Sequence, residues 1–145
     1  MAGIVVGVDG SHHASRALKW AMTEAALRGA SLTVITVNPV IAGYWTRQPV
    51  PLPGDEDRVI EARKLAEAAV AAVAAELGDA QPESVTVTAI NGFPAQTLIE
   101  ASKGADLVVV GSRGGGGFGE LVLGSISSQV LHHAACPVVA VPYDE

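Results

Sequence analysis

The residues best equipped for chemistry lie between Gly111 and Ser127, where the chain reads GSRGGGGFGELVLGSIS. Six of the nine residues from Gly111 to Gly119 are glycine. Glycine lets backbone N–H groups approach a ligand closely and admits positive φ. The stretch follows an apolar run and ends where a helix is expected to begin. Such a terminus offers unpaired N–H donors and a partial positive charge, which suits phosphate. With Ser125 as N-cap, the amides of Gly124, Ser125 and Ile126 and the Ser125 hydroxyl are expected to hold a phosphate, and Ser127 stands within the first turn. Arg113 is the only cation in the loop.

Two nucleotide motifs can be tested against this loop. Gly114-x-Gly116-x-x-Gly119 matches the dinucleotide pattern, but a glycine run does so by chance, and the pattern belongs after a first strand at a helix start. Gly119-x4-Gly124-Ser125 matches a P-loop except for the lysine that should precede the hydroxyl residue. Arg113 could replace that charge in part. Phosphate binding is therefore expected, and fast phosphoryl transfer is not. The histidines come as two adjacent pairs, His12-His13 and His132-His133. Neighbours on a helix do not share a face, so neither pair is expected to hold a metal. Cys136, before the last apolar run, reads as a small inert core residue. No G-x-S-x-G elbow is present for a hydrolase.

The elements that must position this loop follow from the apolar pattern. Residues 3–8 (GIVVGV), 31–37, 84–90, 106–111 and 137–142 read as five strands. The run at 84–90 alternates polar and apolar, which suits a sheet edge. Helices are expected from Ala14 to Gly29, from Asp55 to Gly78, from Pro94 to Lys103, and from Ser125 to Ala134. Asp55, Glu56 and Asp57 place negative charge at a helix start, where it is favoured. Ile126, Val130, Leu131 and Ala134 are expected to form the buried face of the last helix. Asn38 to Gly54, with four prolines, Tyr44 and Trp45, has no period and reads as a lid or a disordered insertion.

Strands alternating with helices imply a parallel sheet covered on both faces. Two five-strand orders fit, 3-2-1-4-5 and 2-1-3-4-5, and ligands bind where the winding reverses. A glycine-rich loop after the fourth strand favours the first, in which strands 1 and 4 flank the crevice. Asp9, ending strand 1, would then face the ligand or cap the first helix.

The spacing Gly111-x2-Gly114-x9-Gly124-Ser125 resembles the ATP-binding signature of the universal stress protein family. The resemblance spans the chain, from GIVVGVDGSHHASRALKWA at the start to ADLVVVGSRGGGGFGELVLGSISSQVLHHAACPVVAVP at the end. It implies an α/β fold of order 3-2-1-4-5 and a stress-response or regulatory role built on an adenine nucleotide. By position, Gly111, Gly114, Gly124 and Ser125 would hold ribose and phosphates, with Ile126 and Ser127 completing the cradle. Asp9 would lie near the ribose or a phosphate-bound Mg²⁺. Val8 would line the adenine pocket, and the Val37 backbone would bond the adenine edge. The implied ligand is ATP, with or without Mg²⁺; cyclic AMP is the alternative, and hydrolysis at most slow.

Composition narrows the remaining classes. At 145 residues, one domain spanning 1–145 is expected. Fifteen acidic against nine basic residues give a net charge of −6, which disfavours nucleic acid and anionic membranes. One cysteine excludes an intrachain disulfide. No apolar run approaches the about 18 residues of a membrane span, and the first residues lack a basic signal region, so a cytosolic chain is expected. The last strand, Val138 to Val141, is apolar and would lie at the sheet edge. An exposed edge pairs readily with another chain, and the family resemblance also implies a homodimer there.

Overall fold

Strands rich in valine on both faces need cover on both faces, and the chain supplies it by alternating strand and helix. The computed structural model describes residues 3–10, 13–43, 48–112 and 124–142. The elements are β1 (Gly3–Val8), α1 (His13–Arg28), β2 (Leu32–Pro39), β3 (Ile41–Ala42), β4 (Pro49–Val50), α2 (Asp55–Leu77), β5 (Val85–Gly92), α3 (Pro94–Ser102), β6 (Ala105–Gly111), α4 (Ser125–His133) and β7 (Val138–Val141). A single 3₁₀ turn, Gly78–Ala80, follows α2. Five strands form one parallel sheet in the order β5-β2-β1-β6-β7, which is 3-2-1-4-5 among the long strands.

The strand period of two sorts the core into two halves. Ile4, Val6, Leu32, Val34, Leu107 and Val109 pack under α1 and α2, against Leu18, Met22 and Val73. Val5, Ile35, Val108 and Val110 pack on the other face, against Ala95, Leu98 and Val130 of α3 and α4. The alternating run at 84–90 does lie at an edge, as β5.

Two expectations are corrected. Within Asn38 to Gly54, β2 continues to Pro39, and Ile41–Ala42 pairs antiparallel with Pro49–Val50. Two-residue strands are too short to show a period. Tyr44 and Trp45 lie outside the described residues. On α4, Val130 is fully buried, but Ile126 and Leu131 are 40% and 45% exposed. Ser127 faces inward in their place, because a backbone acceptor waits for its hydroxyl.

Removing a fully buried side chain costs its transfer energy plus the cavity left behind. Leu18→Ala, at a position with no exposure, is expected to lower the unfolding free energy by about 2–5 kcal/mol in urea titration. Leu27→Ala, nine residues along the same helix and 79% exposed, should stay within about 0.5 kcal/mol of the parent.

Candidate functional site

β1 and β6 are neighbours in the sheet, yet the chain leaves them toward opposite faces. β1 leads into α1, and β6 leads toward α4 across the sheet. The parting connections leave a gap at the carboxyl ends of the strands. A cleft of about 360 Å³ occupies it. Val8, Asp9, Val37, Gly111, Gly124, Ser125, Ile126 and Ser127 all line it. Arg113 and Gly114 lie outside the described residues.

Apolar side chains that the sequence did not single out, Ile35, Leu98 and Val110, complete the walls. Gly7 permits that floor: a Cβ there would stand 2.7 Å from Leu98 Cδ1. No motif announces this glycine, since its role is set by a leucine 91 positions away.

A count of hydrogen bonds at the start of α4 defines the donors. A helix leaves its first N–H groups without intrahelical partners. Gly124 is the N-cap, with φ −75° and ψ 169°, and Ser125 is the first helical residue. The Gly124 amide already donates to the Ser112 carbonyl at 2.6 Å. Ser112 N in turn donates to Val141 O at 2.8 Å, and Ser128 N donates to Gly124 O at 2.9 Å. The Ser127 hydroxyl donates to the Gly111 carbonyl. Among the described residues, the amides of Ser125, Ile126 and Ser127 are left without partners, beside the exposed Ser125 side chain.

This corrects the expected cradle. Ser125 is not the cap, and the Gly124 amide is engaged. The Ser127 hydroxyl closes the helix onto β6, and its amide has no partner among the described residues. Asp9 is exposed and lines the cleft at the end of β1.

The β2 wall offers backbone groups. The two polar groups of a strand residue point the same way, and the direction alternates along the strand. Ser31 O accepts from Ile4 N, and Leu32 N donates to Ser84 O. Odd-numbered residues of β2 therefore address β1, and even-numbered ones address β5. Val37 addresses the β1 side, one position beyond Thr36, where the ladder with Val8 stops.

Other titratable groups stand apart from the cleft. His132 and His133 are exposed at the end of α4, and His132 Nδ1 lies 2.7 Å from Ser128 O. His12 and the His13 side chain lie outside the described residues. Burial pushes the half-buried Cys136 thiol above its ordinary pKa, and the Asp106 charge adds to this. Among the described residues, no group of His, Cys, Asp and Glu could by itself hold a metal ion. No described helix is long and apolar enough to cross a membrane.

The universal stress protein family model matches residues 2–142. The chain belongs to the universal stress protein family. A universal stress protein of Mycolicibacterium smegmatis is 39% identical over 143 residues, which are 99% of this chain and 49% of that protein. The chain thus spans about half the length of the first curated relatives it matches. Universal stress protein UspA from Lactobacillus plantarum superposes with a TM-score of 0.74 at 23% identity, covering 97% of each chain. A universal stress protein crystallised in complex with cAMP superposes with a TM-score of 0.64 at 26% identity, covering 99% of this chain and 98% of that one.

Beside the cleft, the Asp55 carboxylate starts α2. Its carboxyl is held below the ordinary aspartate range, first by the Leu52 amide and then by Arg58, with desolvation opposing them. A lowered folded-state pKa adds stability above the unfolded value and loses it as the pH falls through the folded one. From about pH 6 to about pH 3, the parent is therefore expected to lose more unfolding free energy than Asp55→Asn. Urea titrations at the two pH values measure the difference.

Proposed function

We propose that this universal stress protein domain binds an adenine nucleotide, ATP first, in the cleft between β1 and β6. The observation that carries the reading is the set of amides at Ser125, Ile126 and Ser127 that have no partner among the described residues, beside a largely apolar cleft. Three convergent N–H groups and a hydroxyl at a positive helix end suit a phosphate. An apolar cavity with a few directed polar groups suits a base and sugar.

In this reading Val8, Ile35, Val37 and Leu98 enclose the base, and the Val37 backbone meets its edge. Gly111, Gly114 and Arg113 serve the ribose and phosphates. Asp9 is the acidic side chain on the cleft wall, which fits a Mg²⁺ held chiefly by phosphate oxygens and one carboxylate. When bound, that ion would neutralise phosphate charge. No lysine is among the described residues lining the cleft, so the site is read as one that holds a nucleotide rather than turning it over quickly.

The role is regulatory: occupancy sets the surface that a partner reads. Association of two copies through Val138 to Val141 belongs to the same proposal. β7 is the outer strand beside β6, with half-buried Val138, Val139 and Ala140. Cyclic AMP is the second reading, favoured by the relative crystallised with it.

Calorimetric titration of ATP, ADP and cyclic AMP into nucleotide-stripped protein tests the proposal. ATP is expected to bind at one site per chain, and Ser125→Ala should weaken it about fivefold through one lost hydrogen bond. Leu131→Ala, exposed on the same helix, should not change it. A clear preference for cyclic AMP selects the second reading, and no binding by folded protein refutes both.

A further inference from the structure

Among the described residues, Asp55 is the only charged group that is buried, at 6% exposure. Burying a carboxylate is costly unless it is paired and hydrogen-bonded, and this one is met from three directions. Leu52 N donates to Oδ2 at 2.7 Å, Arg58 pairs with Oδ1, and Asn38 Nδ2 reaches Oδ1 at 3.3 Å from β2. The same Asn38 nitrogen donates to Asn91 Oδ1 of β5 at 2.8 Å. Asp55 N also donates back to Leu52 O at 3.1 Å, closing the turn.

The local sequence is shaped for this. Gly54 has φ +86°, and a Cβ there would stand 3.0 Å from Arg58 Nη1. Glycine at that position lets the turn form and lets Arg58 fold back over the carboxylate.

Asn38 sits between Val37 and Pro39, and both of those line the cleft. Side chains alternate along a strand, so a residue held on the α2 side presents its neighbours to the opposite side. The wall needs such an anchor. Beyond Thr36, β2 has lost β1 and is paired only with β5, through Gly92. We propose that Asp55 is a positioning residue for the cleft: acting through Asn38, it fixes the Val37–Pro39 wall against which the ligand packs. This rests on the binding reading above for the ligand, and on the structure alone for the wall.

The test compares the parent with Asp55→Ala, Asp55→Asn, Asn38→Ala and, as a core-destabilised control, Val73→Ala. Amide exchange is followed at Asn38, Val40 and Leu52, and ATP and cyclic AMP are the binding probes. Asp55→Ala is expected to speed exchange at these amides about tenfold, with Asn38→Ala close behind and Asp55→Asn between, since local opening follows lost hydrogen bonds. Nucleotide affinity should fall by a similar factor in both alanine variants at that end, and not in Val73→Ala. If Asp55→Ala does not fold, Arg58→Ala carries the same comparison, because its half-exposed guanidinium meets Asp55.

Unchanged exchange at Asn38 and Val40 overturns the proposal. So does faster exchange with parental affinity. If the parent binds neither nucleotide, the binding reading fails by itself, and exchange at Asn38 and Val40 alone decides the role of Asp55.

Discussion

A parallel sheet has to be buried on both faces, and the rest of this molecule depends on that requirement. Each strand must be followed by a helix, and the helices must be shared between the two sides. The chain shares them by sending β1 up into α1 and β6 across toward α4. Adjacent strands whose exits diverge cannot close the space above them. The cleft is thus a consequence of how the core is covered. Its apolar lining is the continuation of the second core half: Ile35, Leu98 and Val110 belong both to that cluster and to the cleft wall.

What turns the gap into a candidate binding site is how α4 is fastened. Gly124 donates to Ser112, Ser112 donates to Val141, and the Ser127 hydroxyl donates to Gly111. These bonds fix the start of α4 to the ends of β6 and β7 before any ligand arrives. Among the described residues, three consecutive amides, those of Ser125, Ile126 and Ser127, remain without partners beside the cleft. A preordered set of donors loses little freedom on binding, which favours affinity. The opposite wall is fixed by other means, since β2 outruns β1 and relies on β5 and the Asn38–Asp55 contact.

Much of this was legible in the sequence, for local reasons. Valine-rich runs marked the strands, and their lengths held to within a residue or two. The glycine-rich stretch after the fourth strand pointed to the correct strand order, because a ligand loop belongs where the winding reverses. Features set by distant partners were not legible. Ser127 looked like a cradle donor, but its hydroxyl partner lies 16 residues back in β6. Ile126 and Leu131 looked like core, yet a satisfied serine took the inward position. Asp55 was read for its charge at a helix start, and its tie to Asn38, 17 residues away, carried no local signal.

The central claim is that the amides of Ser125, Ile126 and Ser127 meet the phosphates of an adenine nucleotide. Backbone amide chemical shifts of ¹⁵N-labelled protein, followed through an ATP titration, test it most directly. The account predicts large, saturable shifts at those three amides and at Val37. Gly124, whose amide is already bonded to Ser112, should move much less. Saturable binding that leaves the three amides unmoved and shifts resonances elsewhere would contradict it.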